Sequence, residues 1–289
     1  MSVTSQPEEQ IRADIIEVGR RLHERGYVAS NDGNISVRLD DDRILTTPTG
    51  VSKGFMTPDM MVTTDMQGVQ LTGDRKASSE LLMHLAVYEH RPEIKAVVHA
   101  HPPVATGFAV AGIPLDRAVL AEVIVHLGSV PIADYGTPAT SELADAVRKY
   151  ISAYDGLLLA NHGALTVAPE LFDAYYRMET IEHFARISIV ARLLGRERVL
   201  SREEVRRLEK LRGNYGRGSS VPIRFGVGDE TQDDDISYQY VQAPSSPDER
   251  LVDDSSSRGT TDEVVNGGEI RLTYGELKAL IEDAVKALK

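Results

Sequence analysis

With 289 residues, 42% of them hydrophobic, the chain can bury one substantial core, and its length accommodates one or two domains. It contains no cysteine, which removes disulfides, a thiolate nucleophile and cysteine-based zinc fingers, so any zinc must sit on carboxylates and the eight histidines. A net charge of −12 argues against a nucleic-acid or anionic-membrane surface, no apolar run reaches a membrane span, and residues 1–10 carry no basic or apolar leader pattern, so the expectation is a cytoplasmic protein.

In chain order, Ile11, Ile15, Val18 and Leu22 recur at helical spacing within residues 8–26, and Gly26 ends that helix. From Ala29 to Leu71 short β-branched runs alternate with turn residues, as in Ile35–Arg38, Asp40–Asp42, Arg43–Thr47 and Pro48–Gly50, which predicts antiparallel strands. Ser78-Ser79-Glu80 opens a helix with a serine cap that stops before Pro92. A strand at Ala96–His101 follows, then a helix over Ser141–Tyr154, buried strands at 156–160 and 164–167, a long helix from about Pro169 to Leu194 and a charged helix from Ser201 to Arg212. Strands and helices mix without regular alternation, which predicts an α/β domain around a mixed or antiparallel sheet.

Beyond Tyr215 the composition changes. Residues 226–268 hold eleven acids against Arg250 and Arg258 and almost no apolar runs, the composition of a chain that cannot repay its ordering entropy. Leu277, Leu280, Ile281, Ala284, Val285 and Leu288 then form one apolar stripe on a terminal helix, suited either to folding back on the core or to docking on a partner. The expected organisation is a catalytic domain at 1–217, an acidic linker at 218–268 and an amphipathic helix at 269–289.

The chemistry centres on His99-Ala100-His101. A strand's period of two puts both imidazoles on one face, either as a metal-ligand pair or as two unrelated histidines. His162, between two buried strands and followed by Gly163, is the third candidate ligand; Glu80 offers a carboxylate, and pairing Glu80 with His84 one helical turn on is a rival assignment. Gly33-Asn34, Thr49-Gly50 and Ser78-Ser79 lie in small-residue turns, the last at a helix N-terminus; they are plain turns taken singly and a phosphate cradle taken together.

Asp32–Arg38, Thr47–Lys53, Ser78–Glu80, Ala96–His101 and Asn161–Gly163, in this order over residues 8–217, resemble the class II aldolase and adducin family, most closely its members acting on L-fuculose 1-phosphate. The resemblance implies a three-layer α/β/α fold with a mixed, largely antiparallel sheet, a homotetramer with active sites between subunits, and catalytic Zn2+ on His99, His101 and His162. It also implies Glu80 as a resting ligand that leaves to act as acid/base, and phosphate binding by Gly33, Asn34, Thr49, Gly50, Ser78 and Ser79, with Asn31 a looser match. Tyr215 resembles a tyrosine that closes over the aldehyde end of the substrate. The implied reaction cleaves a phosphorylated ketose to dihydroxyacetone phosphate and lactaldehyde through a metal-stabilised enediolate. Epimerase, dehydratase and decarboxylase members share the site, and adducin-like members are interaction proteins without the histidines. One departure stands out: Ile113–Leu120 lacks the family's tyrosine, leaving Glu122, His126, Tyr135 and Tyr215 as substitutes. The linker and terminal helix resemble enzymes encapsulated in bacterial microcompartments, which implies shell or cargo proteins as partners.

Overall fold

The computed structural model describes residues 7–214, with side chains to residue 211; Tyr215, the acidic segment at 218–268 and the stripe at 269–289 lie outside the described residues. Helix α1 (Glu8–Glu24) opens the domain and buries the predicted stripe at Ile15, Val18 and Leu22. Gly26 follows at φ 68°, the left-handed backbone glycine adopts at no steric cost.

Eight strands make one sheet: β1 (Asn34–Arg38), β2 (Arg43–Thr46), β3 (Val62–Asp65), β4 (Gln70–Thr72), β5 (Ala96–Ala100), β6 (Ile132–Ala133), β7 (Gly156–Leu159) and β8 (Gly163–Ala168), in the order β4-β3-β2-β1-β5-β8-β7-β6. Every pairing is antiparallel except that of β6 with β7. The remaining helices are α2 (Leu81–His90), α3 (Pro103–Val110), α4 (Ala121–His126), α5 (Ser141–Ile151), α6 (Leu171–Leu193) and α7 (Arg202–Asn214). Among these described helices, none is long and apolar enough to cross a membrane.

The period of two along β5 divides the core. Ala96, Val98 and Ala100 pack with α1, α3 and α6, whereas Val97 packs with Leu81, Leu85, Leu143 and Val147 of α2 and α5. The outcome is the expected three-layer α/β/α fold with a mixed, largely antiparallel sheet. His99 falls on the α2 face by the same alternation and is fully buried. The expected serine cap of α2 takes another form: the helix begins one residue later, Glu80 is its N-cap, and Ser78 Oγ accepts from the Glu80 N–H instead of from the first turn. Glu80 is thereby held outside the helix proper, facing the sheet end.

Candidate metal and phosphate site

Four elements converge at the end of the sheet's central strands. His99 sits near the end of β5 and His101 just past it; His162 lies in the turn joining β7 to β8; Glu80 caps α2. Asn161 makes that turn possible by adopting φ 55°, a conformation asparagine tolerates better than most residues. Gly163 is needed for a different reason. A Cβ there would stand 2.5 Å from His101 Cδ2 and 2.6 Å from the Ala100 carbonyl.

The hydrogen bonds fix the tautomers. His99 Nδ1 lies 2.9 Å from the Ala164 carbonyl and so must carry the proton; His101 Nδ1 faces the Asp32 carboxylate at 3.4 Å and is protonated by the same logic. Both Nε2 atoms are then bare lone pairs, yet they lie 3.1 Å apart. Two lone pairs at that distance repel unless they share a cation. His162 Nε2 is 3.2 Å from Glu80 Oε1, and His99 Nε2 is 3.4 Å from Glu80 Oε2. Ligands 2.0–2.1 Å from a tetrahedral ion stand about 3.3–3.4 Å from one another, so the donor set fits a small metal ion. The three histidines form a cluster able to hold one, with ligand atoms all within 4.8 Å of each other, and the carboxylate approaches from the His99 and His162 side. Burial pulls His99 down to about 3 and lowers His101, keeping both neutral and available as ligands near pH 7. Burial opposes ionisation of Glu80, but the surrounding imidazoles and a 2.7 Å bond from Asn34 Nδ2 hold its carboxyl below the usual carboxylate range.

Beside the histidines opens a cleft of about 240 Å³ lined by Gly33, Asn34, Thr49, Gly50, Ser78 and Ser79, all the sequence-predicted phosphate residues. The hydroxyl of Ser78 accepts from the Glu80 amide and keeps its own proton for an anion. Gly33 has φ 72°, and a Cβ on it would stand 2.8 Å from both the His99 carbonyl and Val28.

Other expectations part company here. His84 does not join the cluster: it is buried, bonded through Nδ1 to Ser36 Oγ at 2.7 Å, and burial pulls it down to about 4. Glu122, His126 and Tyr135 do not line the cleft, and Tyr135 is mostly exposed. Two lining residues carry contacts that spacing does not reveal. Asp32 orients His101, and Lys53 lies buried within the cleft wall. Both stand inside motifs quoted above, but only long-range packing assigns them partners.

The class II aldolase and adducin N-terminal domain family matches residues 13–189. The chain belongs to this family. Among class II aldolase relatives, a 3-oxo-tetronate 4-phosphate decarboxylase of Haemophilus influenzae is 34% identical over 200 residues, covering 68% of this chain and 94% of that protein. An L-fuculose phosphate aldolase of Methanococcus maripaludis is 34% identical over 177 residues, covering 61% of this chain and 95% of the other. A solved structure of L-fuculose 1-phosphate aldolase superposes with a TM-score of 0.67 at 32% identity, covering 72% of this chain and 99% of the other.

Proposed function

We propose that this class II aldolase is a zinc-dependent lyase that cleaves a phosphorylated ketose, L-fuculose 1-phosphate or a near relative, to dihydroxyacetone phosphate and lactaldehyde. The carrying observation is the meeting of bare imidazole nitrogens and a carboxylate at tetrahedral spacing beside a small-residue anion cleft. His99, His101 and His162 would hold the ion, with Glu80 the fourth ligand at rest; an all-nitrogen triad plus carboxylate suits zinc. Zinc, when bound, supplies a Lewis acid at the substrate carbonyl. Gly33, Asn34, Thr49, Gly50, Ser78 and Ser79 anchor the phosphate and so fix the register of the carbon chain. As the carbon–carbon bond breaks, the electron pair stays on the phosphate-bearing fragment. The hydroxyl at the leaving carbon gives up its proton to a base, and Glu80, oriented by Asn34, takes up a proton from solvent and delivers it to the carbon that keeps the electron pair.

A second reading is favoured by a specific observation. Retro-aldol cleavage needs a base for the hydroxyl proton at the leaving carbon, and no tyrosine stands at Ile113–Leu120. Decarboxylation of a 3-oxo acid 4-phosphate needs no such group: carbon dioxide leaves, the electron pair remains, and Glu80 passes a proton taken from solvent to the same carbon to give the same dihydroxyacetone phosphate. Both reactions use the same half of the site and differ only in the departing fragment. Tyr215 is proposed for the aldehyde end in the first reading. Incubating zinc-loaded protein with both substrate classes, with lactaldehyde, glycolaldehyde and carbon dioxide measured, separates them; about one zinc per chain with no product from either would refute both.

Two assembly proposals rest on sequence. The family resemblance supports a homotetramer, and the acidic 218–268 segment with the 269–289 stripe supports a docking helix for microcompartment shell or cargo proteins. Deleting residues 269–289 should leave turnover intact and abolish shell association; unchanged association would refute the docking role.

A further inference from the structure

Lys53 is 1% exposed, an unusual state for a lysine, yet among the described residues it forms no ion pair. Its ammonium donates to the carbonyls of Asn31 at 3.1 Å and Val51 at 2.7 Å. An ammonium has three N–H donors, so these two bonds leave one over. The residue lines the cleft with Thr49, Gly50, Ser78 and Ser79, and no other lysine or arginine among the described residues does so. Its backbone is wedged in place: a Cβ on Gly19 of α1 would stand 2.7 Å from the Lys53 carbonyl, so that approach requires glycine. The cleft also carries Asp32 and Glu80, whose charges would repel a phosphate dianion. A buried cation held on two carbonyls and in no ion pair among the described residues, the one lysine or arginine in a cleft whose other charged side chains are acids and whose histidines are candidate metal ligands, is placed to receive an anion.

We propose that the Lys53 ammonium is the charge partner of the substrate's phosphate and the residue that makes the cleft select phosphorylated over unphosphorylated sugars. The proposal deepens the reading of the cleft as a phosphate site and rests on it. Its third N–H donates to a phosphate oxygen while the first two hold the 29–33 loop and the 47–52 turn, the two walls of the cleft, at fixed separation. Burial lowers the amine to about 8, against the opposing charges of Asp32 and Glu80, which leaves it protonated near neutral pH.

The test is inorganic phosphate binding to the zinc-loaded full chain at pH 7, by calorimetric titration, for wild type, Lys53→Met and Lys53→Gln. The Gln amide retains donors for the two wall carbonyls but lacks the charge. Both variants should bind phosphate at least about tenfold more weakly, the loss of one charge-assisted hydrogen bond, with zinc content unchanged. Should Lys53→Met fail to fold, Lys53→Gln carries the test alone. Wild-type affinity in Lys53→Gln would show a loop clamp and overturn the proposal. If wild type itself binds no phosphate, the phosphate reading of the cleft falls, and this proposal with it.

Discussion

Replacing Gly163 by alanine adds a single methyl group, and the surroundings dictate what that group does. The new Cβ would meet His101 Cδ2 at 2.5 Å and the Ala100 carbonyl at 2.6 Å, where ordinary contact begins near 3.4 Å. One neighbour must therefore retreat by about 1 Å. Ala100 is poorly able to do so, because β5 is fixed by its antiparallel ladder to β8 at Ala100–Ala164. The His101 ring moves instead, and its Nε2 leaves the 3.1 Å approach to His99 Nε2. Metal sites tolerate ligand displacements of only about 0.2 Å, so zinc affinity should fall by at least about 100-fold, or roughly 2.7 kcal/mol. Overpacking should cost the apo fold a further 1–3 kcal/mol or so. Competition against a chromophoric zinc chelator reads the first quantity and urea denaturation the second. A Gly163→Ala protein that held zinc within threefold of wild type at unchanged stability would refute the geometric argument. Gly107 in α3 provides the control, since its Cβ would meet nothing within 4 Å; alanine there should stabilise the helix by up to about 1 kcal/mol without touching zinc affinity.

Glu80→Gln should lower turnover by about 10²- to 10⁴-fold while the three histidines still bind zinc stoichiometrically, and a loss under tenfold would remove Glu80 from proton transfer. Asn34→Ala deletes the 2.7 Å bond to Glu80; a bond to a charged group contributes about 1.5–3 kcal/mol, so kcat should fall roughly 10- to 150-fold, and an unchanged kcat would show that Glu80 needs no orienting donor. Phosphate affinity should decline as pH rises through about 8, the value to which burial lowers Lys53, because the amine is cationic below that pH and neutral above it. Phosphate titrations from pH 6.5 to 9.5 test this, with a flat profile above pH 8 the contrary result; the Glu80 carboxyl, held below the usual carboxylate range, stays ionised throughout.

The meeting of the three histidines was legible because its signals are local and reinforce one another. The Ala96–Ala100 strand fixes the relative sides of His99 and His101, and two apolar runs bracket His162. The α/β class was legible from element types, and the small-residue turns from their composition. What escaped depends on packing between distant segments. That Glu80, not a serine, is the N-cap of α2 shows only in the bonds around it, its amide held by Ser78 and its carboxylate by Asn34 of β1. That His84 stands apart from the cluster of His99, His101 and His162 goes with its bond to Ser36 of β1. Lys53 looks like any turn lysine until the glycine of α1 lets its backbone sink. The strand order, with β5 between β1 and β8, follows from crossovers that no local pattern encodes.

The convergence of Glu80, His99, His101 and His162 has a consequence for how an ion held there bears on stability. These residues lie at the N-cap of α2, at and just past the end of β5, and in the β7–β8 turn, and β5 is paired on both sides, with β1 and with β8. No short stretch of the chain holds the set together, so an ion held there would act as a ligand of the folded state. Its hold on stability is then set by mass action: free zinc at a thousand times its dissociation constant adds about 4.1 kcal/mol, and a chelator withdraws that amount and no more. Chelation should lower the melting temperature and leave a folded protein behind, in contrast to zinc fingers, which lose their structure with the metal.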